Sequence, residues 1–390
     1  MLAIRGGTVV DADGARTADI GIEDGRIVAL GEVGAADTEL EANGRYVAPG
    51  LIDAHVHLGF DARPDPTSIR DDSESMLAYR AASNLRQLIE AGVTSVRDVG
   101  SPGTLAMDAR QAVTDGVVSG PRVVPAGQNV TMTGGHGHWF GREADGPAEV
   151  RKAAREQLKR GAEVIKCMAT GGVLTQGAVT GAPELGPDEL EALVEVASAK
   201  GVPTAAHCHG AKGIKNAVRA GITSVEHGSF MDAEAAELMA ERDTFWVPTA
   251  SALHGICDAP DEAGIPDWAV EKGLEAQSAY REAWEHALDA GVRIAMGTDA
   301  GTPLNPHAEV AGELASMVDY GLDPQGALEA ATVDAAALLG LEEVGRVAEG
   351  FTADLVVLPE DPTADATAWQ RPETVVVRGE HLEPVGPEQV

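Results

Sequence analysis

Three short stretches of this sequence place histidines at spacings that suit metal binding. His55 and His57 lie two residues apart in "DAHVHL". His207 and His209 repeat that spacing in "AHCHG", and His227 follows in "EHG". Residues two apart on a β-strand point to the same face, so each pair can present two imidazole nitrogens to one divalent cation. One such pair alone is weak evidence, because an isolated strand histidine is more often a hydrogen-bonded core residue.

Two further residues carry chemistry in unusual surroundings. Lys166 stands in the apolar run "VIKCMAT", although lysine is among the residues least often buried and the chain contains only seven. An apolar strand disfavours the charged ammonium form and makes the neutral amine available for reaction. Asp299 stands in "GTDAG", at the end of another apolar segment, where a carboxylate can bind a cation or transfer a proton.

These residues lie at the ends of short apolar segments that alternate with amphipathic helical segments. The predicted strands are 51–58, 94–100, 122–130, 164–170, 203–210, 224–229, 244–250 and 293–300. Such alternation is typical of βα units, and eight strands predict an α/β fold, a (β/α)8 TIM barrel. Catalytic groups of such barrels lie at the C-terminal ends of the strands, which is where these residues fall.

Short strands with turn signals occupy both ends of the chain. Residues 1–50 contain "EDGRI" between alternating apolar residues, a hairpin signal, and the same texture returns in "ADLVVLPED" and "TVVVRGEHL". Each end alone has too few strands for independent stability. We therefore expect residues 1–50 and 346–390 to form one small β-sandwich domain, with the barrel in residues 51–345.

Acidic residues dominate the charge of the chain. With 62 acidic and 29 basic residues, the formal net charge is −33. A field of that sign repels nucleic-acid phosphates and anionic membrane surfaces, so we expect neither as a partner. The acids are dispersed along the chain rather than gathered in a tail, which argues against disorder. Together with the scarcity of lysine, this composition suggests a halophilic protein.

Cysteine usage and the first residues indicate a reducing compartment. Three cysteines without paired spacing do not suggest a disulfide framework. The opening "MLAIRGGTVVDADG" lacks the basic and then apolar segments of a secretory signal, and no apolar run is long enough to cross a bilayer. We expect a soluble cytoplasmic protein. A homo-oligomer is compatible with the sequence, which leaves the oligomeric state open.

The set of motifs resembles the amidohydrolase superfamily over the whole chain. The resemblance rests on "PGLIDAHVHL", the lysine of the fourth strand, "AHCHG", "EHG" and "GTDAG", and it extends to "GGTVVDADG" and "GFTADLVVL". "CMATGGVLT" and "TMTGGHGH" are similar to the branch of metal-dependent Xaa-Pro dipeptidases (prolidases) and imidazolonepropionase-like proteins.

This resemblance implies a centre with two divalent metal ions. In the family, the lysine of the fourth strand reacts with carbon dioxide, and the resulting carbamate bridges the ions. Zinc is the expected metal, although manganese, cobalt and iron accept the same ligands. The resemblance assigns the bridge to Lys166, the first ion to His55, His57 and Asp299, and the second ion to His207 and His227.

The resemblance also implies the reaction, attack of hydroxide on an amide C–N bond. The expected small-molecule substrate is a dipeptide, of the Xaa-Pro type or related, or an N-acyl amino acid. Divalent ions lower the pKa of water and polarise a carbonyl group. Asp299 would accept the proton of the attacking water and pass it to the leaving nitrogen. His136, in the glycine-rich "TMTGGHGHW", would support the negative charge that develops on the carbonyl oxygen.

Further residues at the same rim have less specific roles. His138, in the glycine-rich loop, and His254, in "SALHG", are candidates for substrate binding. His209 is a candidate for orienting a ligand, because the fifth strand needs to supply only one. Arg97 and Asp98, in "RDVG", are interpreted as part of a structural salt bridge.

Phe230 is a departure from the family pattern. Some dipeptidases of the family place a tyrosine after "EHGS" that helps to hold the α-carboxylate of the substrate, and phenylalanine has no hydroxyl donor. If Phe230 lies at the substrate, the group that binds the carboxylate has to be found elsewhere, or the substrate is not a free dipeptide.

Three alternatives to a dinuclear dipeptidase stay open. An imidazolonepropionase-like hydrolase of a cyclic amide uses one metal and lacks the bridging lysine, so Lys166 argues against it. A lactonase or phosphotriester hydrolase shares the carbamate-bridged centre. A non-catalytic scaffold of the same fold would be expected to have lost ligands, whereas every expected ligand is present in this chain.

Overall fold

The computed structural model describes residues 1–382. Its strands are Leu2–Arg5 (β1), Thr8–Asp11 (β2), Gly14–Thr17 (β3), Asp19–Glu23 (β4), Arg26–Gly31 (β5), Thr38–Glu41 (β6), Tyr46–Pro49 (β7), Leu51–Val56 (β8), Val93–Asp98 (β9), Arg122–Pro125 (β10), Val130–Thr131 (β11), Arg142–Glu143 (β12), Ile165–Met168 (β13), Thr204–Gly210 (β14), Ser224–Phe230 (β15), Phe245–Val247 (β16), Leu355–Leu358 (β17), Thr374–Val377 (β18) and Glu380–Leu382 (β19).

The α-helices lie mainly between the strands of the central region. They are Glu74–Glu90 (α1), Leu105–Thr114 (α2), Gly146–Arg160 (α3), Pro187–Ser198 (α4), Ala211–Ala220 (α5), Ala233–Glu241 (α6), Ala250–Cys257 (α7), Asp267–Ala290 (α8), Val310–Asp319 (α9), Pro324–Ala330 (α10) and Val333–Leu339 (α11). Three short 3-10 helices span Pro66–Asp71, Asp261–Ala263 and Ala366–Gln370. No helix within residues 1–382 is both long enough and apolar enough to cross a membrane.

Parallel strands from the middle of the chain form the (β/α)8 barrel that the sequence predicts. β8, β9 and β10 pair in parallel, and β13, β14, β15 and β16 form a second parallel run. The backbone N–H of Glu163, just before β13, donates to the carbonyl of Pro125 in β10 at 2.8 Å and links the two runs. The predicted strand 122–130 is divided in the structure into β10 and the short β11.

Residues 293–300 close the barrel without forming the regular strand that the sequence predicts there. The N–H of Ala295 donates to Trp246 O of β16 at 2.9 Å, and the N–H of Asp299 donates to His55 O of β8 at 2.7 Å. The ladder is interrupted because the N–H of Thr298 donates to the carboxylate of Asp53, at 3.1 Å, instead of to a neighbouring strand.

Small apolar side chains fill the interior of the barrel below the strand ends. Ile52, Val124, Val164 and Val247 belong to one buried cluster, which helix α11 covers from the N-terminal side of the strands with Leu338 and other residues. The alternation of β13 turns Val164 and Lys166 inward, while Ile165 and Cys167 belong to the core between strands and helices. Lys166 is therefore held inside the barrel.

The helices begin and end where local sequence signals predict. Helix α1 starts at Ser73, whose hydroxyl accepts the N–H of Met76, and α6 starts at Asp232, whose carboxylate accepts the N–H of Ala235. Helix α3 ends at Gly161, which adopts a left-handed conformation with a φ of 103°. These caps fix the positions at which the chain enters or leaves each helix.

Strands from both ends of the chain share one sheet. The six-stranded sheet has the order β19-β18-β17-β7-β2-β3, in which β7 and β17 pair antiparallel, and the four-stranded sheet has the order β5-β4-β1-β6. Their core includes Ile4 and Val9 from the start of the chain and Val347 and Leu355 from its end. The "EDGRI" hairpin is present between β4 and β5.

The domain division stays a prediction. The shared sheet supports one unit of residues 1–50 with 346–390 beside a barrel of residues 51–345, but independent folding of either unit is untested. Residues 383–390 lie outside the described residues.

We predict that Gly297→Ala destabilises the protein, because its backbone passes directly against β8. A Cβ at Gly297 would lie 2.5 Å from Val247 Cγ1 and 2.8 Å from His55 Cβ. Overpacking of this kind costs about 1–3 kcal/mol. Gly312→Ala is the matched control: this exposed glycine of α9 has open space around a Cβ, and alanine there should be neutral or stabilising by up to about 1 kcal/mol. Chemical denaturation of both variants checks this, and equal stabilities would contradict it.

Candidate active site

One cavity lies at the C-terminal ends of the barrel strands. Its empty volume is about 740 Å³, part of which is open to solvent, a size that suits a small molecule. It brings together eight of the residues that the sequence predicts for the site. They are His55, His57, His136, Lys166, His207, His209, His227 and Asp299.

His55, His57 and Asp299 converge on one point in this cavity. Oδ1 of Asp299 lies 3.3 Å from Nε2 of His55 and 3.1 Å from Nε2 of His57. One ligand atom from each of the three residues lies within 4.8 Å of the other two, and all three side chains are buried. This is the spacing expected around a single cation.

The partners of the two histidines determine which ring nitrogen carries the proton. Nδ1 of His55 lies 2.7 Å from Glu226 Oε2, and Nδ1 of His57 lies 2.6 Å from the carbonyl of Gly100. Carboxylates and carbonyls only accept hydrogen bonds, so Nδ1 carries the proton in both rings. In the neutral rings the two Nε2 lone pairs therefore face Asp299 Oδ1, and three potential ligand atoms meet at one point.

Unpartnered buried atoms show that the donor set fits a metal. Oδ1 of Asp299 and Nε2 of His207 are buried and have no hydrogen-bond partner among residues 1–382. Buried polar atoms normally have one. A divalent cation accepts imidazole and carboxylate ligands of this kind and would satisfy both atoms.

His227 is oriented by Thr249, which lies two residues after the end of β16. Its Nδ1 lies 2.7 Å from Thr249 Oγ1, and that hydroxyl donates its own proton to the carbonyl of Pro248 at 2.6 Å. Thr249 therefore accepts from His227 Nδ1–H, which leaves Nε2 of His227 free as a ligand atom. The ring of His227 lies 4.5 Å from that of His207, measured between centroids.

Glu226 connects the site to the barrel interior. Its carboxylate contacts Arg97 Nη2 at 3.0 Å and Ser224 Oγ at 2.5 Å in addition to His55, and both charged side chains are fully buried. Burial raises the pKa of Glu226, but Arg97 and His55 outweigh burial and lower it to about 2. The ion pair of Arg97 is thus made with Glu226 across the barrel, while Asp98 accepts the N–H of Leu58.

Lys166 lies in this group without a compensating anion. Its side chain is 1% exposed, and burial lowers the pKa of its ammonium group. In the described part of the chain it forms no ion pair, and the attraction of Glu226 and Asp299, which raises this pKa, is outweighed by burial. The neutral amine is therefore favoured relative to an exposed lysine.

His136 lies over the cavity from the glycine-rich loop. Its ring centroid is 4.2 Å from that of His207, and its backbone N–H donates to Glu184 Oε2 at 2.8 Å. Burial lowers the pKa of His136 to about 3. The ring is therefore neutral at physiological pH.

His209 occupies the same cavity, beside the ring of His227. Its Nδ1 lies 2.9 Å from Ser229 Oγ, and the two imidazole rings stack with centroids 5.0 Å apart. Burial lowers the pKa of His209 to about 4. Its predicted part, orienting a ligand, stays a prediction.

Three predicted substrate-binding residues lie outside the cavity lining. His138 contacts Gly135 O through its Nδ1, and His254 lies on α7 with its Nδ1 3.3 Å from Ser316 Oγ. Phe230 ends β15 and packs against the main cluster. Substrate binding by these three residues stays a prediction.

The sequence prediction missed the residues that orient the ligands. Glu226 stands next to His227 in "VEHGS" and is of the type that orients ligand histidines, but strict strand alternation would place it on the opposite face. Thr249, which orients His227, had no recognisable signal, because it is a single threonine just before the start of a helix. Cys167 and Cys208 face the core, away from the cavity.

Helix α7 forms one side of the cavity, and a buried carboxylate caps it. Glu313 accepts the N–H of Ala250 at 2.9 Å and that of Ser251 at 2.7 Å. Burial raises the pKa of Glu313 from 4.5 to about 7. Between these two pH values the unfolded chain binds fewer protons at this group than the folded protein, so stability falls as the pH rises.

We predict that Glu313→Gln removes this pH dependence. Relative to the variant, the unchanged protein should lose up to about 3 kcal/mol of unfolding free energy between pH 4.5 and pH 7. Urea denaturation across that range measures the difference, with Glu271→Gln, at an exposed position of α8, as the control. Parallel stability curves for the protein and the Glu313→Gln variant would contradict the prediction.

Comparisons with known proteins agree with this geometry. The model of the "Amidohydrolase family" matches residues 46–382. The ochratoxinase of Aspergillus niger is 32% identical over 362 residues, which cover 84% of this chain and 73% of that protein. A solved Xaa-Pro dipeptidase with methionine bound in its active site has a TM-score of 0.92 at 31% identity, covering 98% of this chain and 99% of that one.

A second solved structure, a prolidase complexed with N-methylphosphonate-L-proline, has a TM-score of 0.91 at 32% identity and covers 98% of this chain and 99% of that chain. The predicted family and fold class are confirmed by these matches. Since the family model spans most of the chain and the barrel carries the predicted histidine cluster, this chain is a hydrolase of the amidohydrolase family.

Proposed function

We propose that this chain is a dinuclear, metal-dependent amidohydrolase that cleaves the C–N bond of a dipeptide, such as an Xaa-Pro dipeptide, or of an N-acyl amino acid. The observation that carries the proposal is the convergence of His55, His57 and Asp299, whose buried ligand atoms all lie within 4.8 Å of one another. Zinc is the proposed metal. A cytoplasmic location, salt adaptation and the oligomeric state stay predictions.

Two sets of residues would hold the ions. His55, His57 and Asp299 form the first, and His207 and His227 the second. Lys166 would connect the two sets as a carbamate. Its neutral Nζ attacks carbon dioxide, an N–C bond forms, and one proton leaves for solvent. The buried, unpaired state of Lys166 supports this reaction, because the amine is the reactive form.

The protein residues then have separate tasks in the reaction. Bound divalent ions supply Lewis acidity and lower the pKa of water. Asp299 accepts a proton from the attacking water and returns it to the amide nitrogen as the C–N bond breaks. His136 supports the oxyanion from above the cavity. Neutral at physiological pH, it can donate only from the nitrogen that carries its proton.

The relatives support amide hydrolysis over the other reactions. The two dipeptidase structures cover 98% of this chain, and the ochratoxinase covers 84% of it. A cyclic-amide hydrolase of the imidazolonepropionase type is the second candidate, and Lys166 argues against it. A lactonase, a phosphotriester hydrolase and a non-catalytic scaffold remain as outcomes of the experiment below.

We predict that Lys166→Ala loses both metal binding and hydrolysis. Metal content after reconstitution with zinc and bicarbonate should fall from two ions per chain, and activity on a panel of dipeptides and N-acyl amino acids should fall by more than the roughly 10–100-fold seen when an orienting partner is removed. Lys152→Ala, whose side chain is 69% exposed, is the matched control and should change neither quantity. Asp299→Asn should lower turnover more than metal content.

Three results would count against the proposal. A Lys166→Ala protein with two ions and full activity would refute the bridge. Hydrolysis of lactones or phosphotriesters, with no hydrolysis of amides, would show that the proposed amide substrate class is wrong. A protein that binds no metal after reconstitution would favour the scaffold.

A further inference from the structure

Part of the cavity lining is an aromatic cluster, which is unexpected in this chain. Only five Phe, five Trp and four Tyr occur in 390 residues. Three of these, Phe60, Trp139 and Phe140, line this single cavity. The rings of Phe60 and Phe140 lie 5.2 Å apart, and those of Trp139 and Phe140 lie 5.6 Å apart. Phe60 is also 5.3 Å from the ring of His57, so the cluster reaches the proposed first metal ligands.

Aliphatic side chains extend this apolar lining. Leu253 and Ile256 of α7 and Val173 of the loop after β13 line the same cavity. All three are almost completely buried. These residues come from separate elements, and together with the aromatic cluster they offer a contact surface for an apolar group next to the reacting carbonyl.

Within the described residues the lining offers no cationic side chain for a substrate carboxylate, because its one lysine, Lys166, is proposed to be a carbamate. Of the residues that line the cavity in the described part of the chain, Lys166 is the only lysine or arginine. The nearby Lys272 is engaged with backbone carbonyls, donating to Thr175 O at 2.8 Å and to Gly172 O at 3.4 Å. A carboxylate placed against the apolar lining would be desolvated without a partner, which costs several kcal/mol.

We propose that the substrate is an amide that carries an aromatic or long aliphatic group beside the scissile bond. Phe60, Trp139, Phe140, Leu253 and Ile256 select that group, and any carboxylate of the substrate lies outside the apolar part of the cavity. This inference rests on the proposed function, amide hydrolysis, and narrows its substrate class.

Two series of amides test the inference on the unmodified, metal-loaded enzyme. In one series the amine is phenylalanine and the acyl group changes from acetyl to hexanoyl to phenylacetyl. In the other the acyl group is acetyl and the amino acid changes from glycine to leucine to phenylalanine. We expect kcat/KM to rise by about tenfold or more along at least one series, because one methylene bound in an apolar pocket changes kcat/KM by roughly 10–200-fold.

The outcomes separate this inference from the proposed function. Hydrolysis with a flat preference, or with a preference for the small polar members, would overturn the apolar substrate class alone. No hydrolysis of any amide would overturn amide hydrolysis itself. Ile256→Ala should lower kcat/KM for the best apolar substrate about tenfold more than for the smallest, while Leu274→Ala, a half-exposed leucine of α8, should change neither.

A separate observation concerns the tautomer of His136. Nδ1 of His136 lies 2.8 Å from the hydroxyl oxygen of Thr175, which also accepts the N–H of Gly137 at 3.4 Å. The loop that carries Thr175 is tied to α8 by the hydrogen bond from Lys272. Thr175 is buried, with 5% of its surface exposed, and the two contacts of its hydroxyl have different roles.

The hydroxyl proton of Thr175 has one acceptor available. An amide N–H cannot accept it, and among residues 1–382 the only other hydrogen-bond partner of this oxygen is Nδ1 of His136. Nδ1 therefore accepts, and the proton of the neutral imidazole lies on Nε2. His57 has the reverse arrangement: its Nδ1 carries the proton and donates it to the carbonyl of Gly100.

We infer that Thr175 is a positioning residue that holds His136 as an Nε2–H donor toward the substrate carbonyl. The hydroxyl thus gives His136 a different tautomer from the ligand histidines. His136 presents an N–H to the cavity, whereas the ligand histidines present lone pairs. The inference depends on amide hydrolysis by this site but not on the apolar lining.

Thr175→Val, which keeps the shape and removes the hydroxyl, tests this role with Thr175→Ser as the conservative variant. We expect the valine variant to lose about 10–100-fold in kcat with KM within a few-fold and metal content unchanged, and the serine variant to recover most of the rate. An unchanged kcat in the valine variant, or a serine variant as slow as the valine variant, would overturn it. An unmodified enzyme inactive on every amide would instead refute the proposed function.

Discussion

Inside the barrel, two buried hydrogen-bond donors share one carboxylate. Glu226 accepts from the guanidinium of Arg97 and from Nδ1–H of His55, and all three side chains are buried. Arg97 and Glu226 form a buried ion pair. Removing one of the two leaves the charge of the other uncompensated in a low-dielectric interior, which costs about 3–5 kcal/mol. The same contact fixes the tautomer of His55, so the ligand atom is prepared before any ion arrives. Stability of the barrel and geometry of the site therefore depend on one set of hydrogen bonds.

Backbone strain lets the strand ends carry more side chains into the cavity than regular strands allow. His227, Thr249 and Asp299 all adopt left-handed conformations, with φ values of 70°, 58° and 58°. Non-glycine residues seldom do so, at a cost of about 1–3 kcal/mol each, and such residues concentrate at functional sites. At His227 the change of direction allows the adjacent Glu226 and His227 both to face the interior.

The sequence predicts the parts of the site that follow simple periodicities. His55 with His57 follows the two-residue repeat of a strand, and Lys166 is conspicuous because its neighbours are apolar. Glu226 was missed because strict alternation turns it away from the face that His227 occupies, and only the left-handed backbone reverses this. Thr175 acts across 39 residues of chain through a loop whose path no local pattern encodes.

The fold prediction shows the same limits. Seven barrel strands are recognisable in the sequence by their apolar runs. The candidate catalytic and metal-binding residues lie at the C-terminal ends of several of these strands. The eighth segment has the composition of a strand, yet the side chain of Asp53 takes the N–H of Thr298 and breaks the ladder. Competition of this kind between side chain and backbone depends on tertiary neighbours, which a linear pattern does not contain.

The pairing of β7 with β17 has a consequence for how the chain reaches this structure. Val47 pairs with Val357, so the sheet beside the barrel closes a loop of about 300 residues. Contacts of such high sequence separation form late, because the entropy of closing the loop is lost before the contact returns any energy. Until then β7 presents an open apolar edge to other chains. Aggregation during synthesis is therefore the hazard that this topology creates, and it ends only when the last strands arrive.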